Sequence, residues 1–153
     1  MSTTTKASYE YLKNAVNTAT PEQLQLMLLD GAIRFTRRGI EAIESRSIEA
    51  AFHALERAQR IVLQLNEGLQ REANPELVDQ MSSLFTFIYQ RLVEASMRRS
   101  RQPADDALRI LLHQRETWEL LIQKLAREVP KATPSATVAI GGANSEAQFS
   151  VEG

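Results

Sequence analysis

The chain has 153 residues, 43% of them hydrophobic, with 18 basic and 19 acidic side chains and no cysteine. That length suits one domain with a real core, and the absence of thiols excludes disulfides, thiolate catalysis and cysteine-ligated metal while matching a reducing compartment. A formal net charge of −1 supplies no global electrostatic drive toward nucleic acid or an anionic membrane.

The opening residues, Met1 to Lys6, are polar and contain no apolar h-region, so a secretory signal is not expected. Tyr9, Tyr11, Leu12 and Val16 follow as a short apolar stretch, which predicts a short helix or arm within residues 1–20. Thr20-Pro21-Glu22-Gln23 then starts a long helix. Proline at the first helical position has no N–H to leave unpaired, and Thr20 with Gln23 can form a capping box. The helix predicted over 21–45 carries two apolar stripes. One is Leu24, Leu28, Phe35 and Ala42; the other is Leu26, Leu29, Ile33 and Ile40. A helix apolar on two sides needs cover on two sides. Gly31 and Gly39 lie near one face and serve either close helix packing or a groove for a foreign helix.

Ser45 to Ser47 break that helix, with Ser47 as the candidate cap of the next, over 47–72. Its stripe is Leu55, Ala58, Val62, Leu65 and Leu69. Asn74-Pro75-Glu76 starts a helix over 75–100, with Leu77, Met81, Leu84, Ile88, Leu92 and Ala95 at helical spacing. Gln102-Pro103 starts the last, over 103–129, with Leu108, Leu111, Trp118, Ile122, Leu125 and Val129; Arg115 interrupts this stripe. Pro130 ends it. The fold class is therefore all-α. Short loops between helices of this length predict an antiparallel up-down four-helix bundle over 21–129, preceded by the short arm. The remainder, 130–153, is rich in Ala, Thr, Ser, Gly and Pro and is predicted to be a disordered tail. The longest apolar runs, such as Leu26 to Leu29, fall far short of the ~20 residues that span a bilayer, so membrane insertion is not expected.

Little in the sequence points to catalysis. A di-iron centre in a bundle needs Glu-x-x-His pairs, and neither His53 nor His113 has one. No Ser sits in a Gly-x-Ser-x-Gly turn, and no glycine-rich loop could cradle phosphate. No metal ligands, cofactor or catalytic residues are assigned. Arg46 and His53, with six residues between them, have the spacing of the helical HEPN-type ribonucleases, and they define an enzymatic alternative. Arg37-Arg38 and the cluster of Arg98, Arg99 and Arg101 define a nucleic-acid-binding alternative, although no aromatic set interleaves them for base stacking. A bundle that self-associates through its extra stripe is a further alternative.

Four stretches carry a family resemblance. Residues 18–35, Thr-Ala-Thr-Pro-Glu-Gln-Leu running on through Leu26-Met27-Leu28-Leu29-Asp30-Gly31-Ala32-Ile33-Arg34-Phe35, resemble the opening of the FliS flagellin-export chaperones. Residues 57–62, 84–95 and 111–118 follow in the family's order and spacing, with the second of these, Leu84 to Ala95, the more specific. Leu29 stands where the family often has Tyr, and Ser96 where it often has Asn. The resemblance implies a non-enzymatic cytosolic chaperone that binds the disordered C-terminal region of flagellin, prevents premature polymerisation and supports delivery to the flagellar type III export apparatus. Contacts with the export gate and with other flagellar regulators are further implications.

Since one bundle core should need one stripe, the second stripe, Leu26, Leu29, Ile33 and Ile40 together with Gly31, is the expected client surface. Tyr9, Tyr11, Leu12 and Val16 form the expected regulatory arm, for in this family the N-terminal segment is thought to occupy or regulate part of that surface. Trp118 is expected to be a core anchor.

Overall fold

The computed structural model describes residues 2–69 and 74–128, with side chains from residue 5 onward. These residues form five helices and no strand: α1 (Ser2–Thr18), α2 (Pro21–Glu44), α3 (Ile48–Glu67), α4 (Pro75–Arg98) and α5 (Arg101–Glu128). The predicted tail, 130–153, and Val129 lie outside the described residues.

The helix starts follow local chemistry. At α2 the Gln23 N–H donates to Thr20 Oγ1 at 3.1 Å, and the Thr20 N–H donates to Gln23 Oε1 at 3.0 Å, so two otherwise orphaned donors satisfy each other's side chains. At α4 the Leu77 N–H donates to Asn74 Oδ1 at 3.2 Å. Ser47 does not cap α3; its hydroxyl instead pairs with that of Ser45 at 3.3 Å, which removes it from the first turn. α5 starts two residues before Pro103. The ring is tolerated there because first-turn N–H groups have no intrahelical acceptor. α1 is longer than the short arm expected, and α3 ends at Glu67, ahead of Gly68, rather than near residue 72.

α2 packs on α3 and α5, α4 packs on α3 and α5, and α1 packs extensively on none of them. The core between α2, α3, α4 and α5 is built from Leu29, Ile33, Leu55, Val62, Leu65, Phe85, Ile88, Leu92 and Leu111, with Trp118 at its edge. Burying a side chain of this size contributes about 1.5–3 kcal/mol, so apolar burial dominates the stability of the bundle. Gly39 marks the closest approach of α2 to α3. A Cβ there would stand 2.5 Å from Leu55 Cδ2, which no real contact tolerates.

Two expected core stripes are rotated. On α4 the buried residues are Val78, Phe85, Ile88, Leu92 and Ala95, while Leu77 and Leu84 face outward. Both sets have spacings of threes and fours, so periodicity alone does not choose between them. On α5 Ala104, Ala107, Leu111, Gln114 and Trp118 are buried, and Leu108 and Ile122 pack at the margin. Arg115, the interruption, reaches across to Asp30 of α2 and along its own helix to Glu119 at 2.9 Å.

Candidate functional site

The stripe expected to receive a client forms part of the core. Leu29 is 2% exposed, Ile33 and Ile40 are also buried, and Gly31 is buried with Ile61 Cδ1 standing 3.3 Å from where its Cβ would be. Only Leu26 sits at the core margin, half-buried. The expectation that this stripe stands free is therefore corrected. α2 packs on two neighbours at once, so its core-facing sector is wide enough to take in the second stripe. It is Leu24, Leu28 and Phe35 of the first stripe that remain partly open to solvent. The two glycines serve close packing of α2 on α3.

The arm residues Tyr9, Tyr11, Leu12 and Val16 are brought onto one helix, and all four are exposed. None of them is buried against the bundle.

At the N-terminal end of α2 a buried indole closes over the first turn of the helix. Trp118 Nε1–H donates to the Glu22 carbonyl at 3.0 Å, which ties α5 to the first turn of α2. The Glu22 carboxyl is buried beneath this contact and its Oε2 has no hydrogen-bond partner. Burial raises its pKa above the ordinary value of 4.5, against the lowering effect of its hydrogen bonds to backbone and to Thr20.

At the other end of α2 the bundle is open. A cavity of about 820 Å³ is walled by the turn between α2 and α3 and by the last turn of α4. Ala42, Ile43, Ala51 and Ala95 line its interior, while Ile48 and Phe52 from α3 and Met97 from α4 stand at its mouth. These three are 51%, 53% and 77% exposed. The sequence signal for them was weak. Ile48 is in phase with its helix's core stripe and is nevertheless half exposed, and Met97 falls off the α4 stripe altogether.

Two arginines rim this cavity in the left-handed backbone region, Arg46 at φ 61° and Arg99 at φ 53°. Each occupies the same place in the same kind of turn. The Ser47 N–H donates to the Ala42 carbonyl at 2.8 Å after α2, and the Ser100 N–H donates to the Ala95 carbonyl at 3.2 Å after α4. This six-to-one bond is the Schellman arrangement, in which glycine ordinarily takes the left-handed position. A non-glycine residue there carries a steric cost of roughly 1–2 kcal/mol.

The chemistry that would mark an enzyme or a nucleic-acid interface is not assembled among the described residues. His53 lies 4.0 Å from Glu49 and edge-on to Phe52, with its ring centroid 5.7 Å away, and it is not among the residues lining the cavity that Arg46 rims. Of the basic cluster, Arg98 pairs with Glu94 at 3.2 Å and Arg101 pairs with Glu44 and Asp105. Arg38 is instead one of three arginines, with Arg34 and Arg57, whose guanidinium carbons lie 5.1–5.3 Å from the centre of the Phe35 ring. No group of three or more metal-ligating side chains occurs among the described residues, and no described helix is long and apolar enough to cross a membrane.

Four helices packed around one core, with large apolar side chains left exposed around an open cavity, define a helical bundle with uncovered apolar surface. Comparison with known proteins agrees. The family model described as "Flagellar protein FliS" matches residues 4–125, and the chain belongs to this family of flagellar secretion chaperones. It is 35% identical over 113 residues to the flagellar secretion chaperone FliS of Bacillus subtilis (strain 168), covering 74% of this chain and 84% of that one. It is 30% identical over 114 residues to the flagellar secretion chaperone FliS of Salmonella typhimurium (strain LT2), with the same coverage of 74% and 84%. A crystal structure of a bacterial flagellar chaperone shares the fold, with a TM-score of 0.65 at 18% identity, covering 78% of this chain and 98% of that one.

Proposed function

We propose that this chain binds the C-terminal region of flagellin in the cytosol, keeps it from polymerising and delivers it to the flagellar export apparatus, using an antiparallel up-and-down arrangement of α2 to α5 as its platform. The observation that carries the reading is the set of large apolar side chains left uncovered on a member of a secretion-chaperone family. Ile48, Phe52, Leu63, Leu77, Phe87 and Met97 are all more than a third exposed. Uncovered apolar surface rimmed by polar residues is what a protein-binding face needs. The tight links of residues 45–47 and 99–100 support the antiparallel order.

Isolated amphipathic segments are marginal helices in water, and a groove that covers their apolar side lets them fold on contact. Ordering such a segment consumes roughly 2–5 kcal/mol of the gross interaction, so a large contact area remains compatible with release at the export gate. In this reading Leu26 meets the client from the core margin, and Leu29, Ile33, Ile40 and Gly31 act by holding α2 in place. α1, with Tyr9, Tyr11, Leu12 and Val16, regulates access to the face.

Titration with a peptide covering the last ~40 residues of the host's flagellin, enough for several short helices, tests this. Saturable one-to-one heat with a gain in helicity is expected. Absence of binding both to the full chain and to a form lacking residues 1–17 overturns it.

A further inference from the structure

We infer that the open cavity at the C-terminal ends of α2 and α4 anchors the client, by taking one large apolar side chain whose flanking carboxylates pair with Arg46 and Arg99. This rests on the flagellin-binding reading and adds the place and the chemistry of the contact.

The first observation is the repeated backbone. Both helices end in the same Schellman turn, both turns wall the same cavity, and both put arginine where glycine fits without strain. At α4 a need for positive charge at the helix C-terminus does not explain this; α2 has no basic residue in its last turn, so Arg46 is the first cation after it. An arginine in the last right-handed turn satisfies the dipole without strain, as Arg98 already does. What the left-handed position adds is a side chain at the mouth of the cavity.

The second observation is that neither guanidinium is paired among the described residues. Among the described residues Arg46 and Arg99 meet no carboxylate, whereas Arg98 and Arg101 beside them do. The one acid lining the cavity, Glu49, lies near His53. Two free guanidiniums flanking an apolar opening complement an acidic, apolar segment.

The third is continuity. From Met97 the surface runs on over Val93 and Tyr89, flanked by Gln90 and the Glu94–Arg98 pair, into a second open hollow of about 440 Å³. Met97, Val93 and Tyr89 are four apart, so they follow one line along α4. The occupant is therefore an amphipathic helix lying along α4, with its acidic end over the two arginine turns.

The test uses the full-length chain and the flagellin C-terminal peptide, together with a copy of that peptide carrying Asn and Gln in place of its Asp and Glu. Arg46→Gly and Arg99→Gly should unfold at higher denaturant concentration than the parent, because the strain is gone, yet bind the peptide about tenfold more weakly each, the loss expected for a charged hydrogen bond. Arg46→Asn and Arg99→Asn, which also tolerate the left-handed region, should bind as weakly as the glycine forms. The amide peptide should bind the parent about as weakly as the acidic peptide binds the variants. Arg60→Ala, away from the cavity, should leave affinity unchanged. Parental affinity in the glycine and asparagine variants would overturn the inference, and so would an equal loss in Arg60→Ala, which would mark a general charge effect. If the parent chain itself does not bind the acidic peptide, the flagellin reading falls and this inference falls with it.

Discussion

At the N-terminal end of α2 the indole of Trp118 is buried and hydrogen-bonded to the Glu22 carbonyl, Thr20 and Gln23 satisfy each other, and the first turn is closed. At the C-terminal end of the same helix Ile48, Phe52 and Met97 stand in water around a cavity, and the backbone of Arg46 and Arg99 is held in the left-handed region. The same helix thus begins in a satisfied, packed cap and ends in an apolar and strained one. Stability gathers at the first end. Backbone strain and exposed apolar side chains gather at the second, while the first holds one buried carboxylate oxygen, Glu22 Oε2, without a partner.

The largest expected effect sets the two ends directly against each other. Trp118→Ala removes a buried aromatic and leaves the Glu22 carbonyl without its donor, and should cost about 3–5 kcal/mol of unfolding free energy in denaturant titration. Phe52→Ala at the open end should change it by less than about 0.5 kcal/mol. Comparable losses would mean that the open end is a second structural core.

Gly39→Ala sharpens the middle of the comparison. The added Cβ meets Leu55, so α2 and α3 must separate, at about 1–3 kcal/mol. This exceeds the gain of up to about 1 kcal/mol that alanine brings to a helix interior. A net stabilisation in thermal unfolding would show that the interface yields.

The smallest effect lies in the packed end's one cost, Glu22. Because burial raises its folded pKa above the unfolded value of 4.5, the folded state holds the proton more tightly. The contribution is complete below 4.5 and is lost as pH rises through the folded pKa. Glu22→Gln should therefore stabilise the chain by about 1 kcal/mol at pH 7, the scale of a relieved buried polar group, and by nothing below pH 4.5. A pH-independent difference would mean that the carboxyl is not what titrates.

Much of this architecture was legible in the residues. The capping box at Thr20 and Gln23, the cap at Asn74 and the stripe Leu55, Ala58, Val62, Leu65 of α3 follow from local hydrogen bonding and helical period. The family could be read from residues 18–35 and 84–95, which are distinctive strings. Illegible were the rotation of α4, where Leu77 and Val78 fit the period equally well, and the fate of the second α2 stripe. Which apolar face meets a partner depends on how many neighbours a helix has.

The sequence by itself thus determined the helices, their order and the family, because caps, periodicity and motif residues act over a few neighbouring positions. Only the tertiary structure decided that Leu29, Ile33 and Ile40 are core, that Trp118 closes one end, and that Arg46 and Arg99, 53 residues apart in the chain, rim one cavity. Those facts depend on which helix ends meet in space, and no local pattern encodes that.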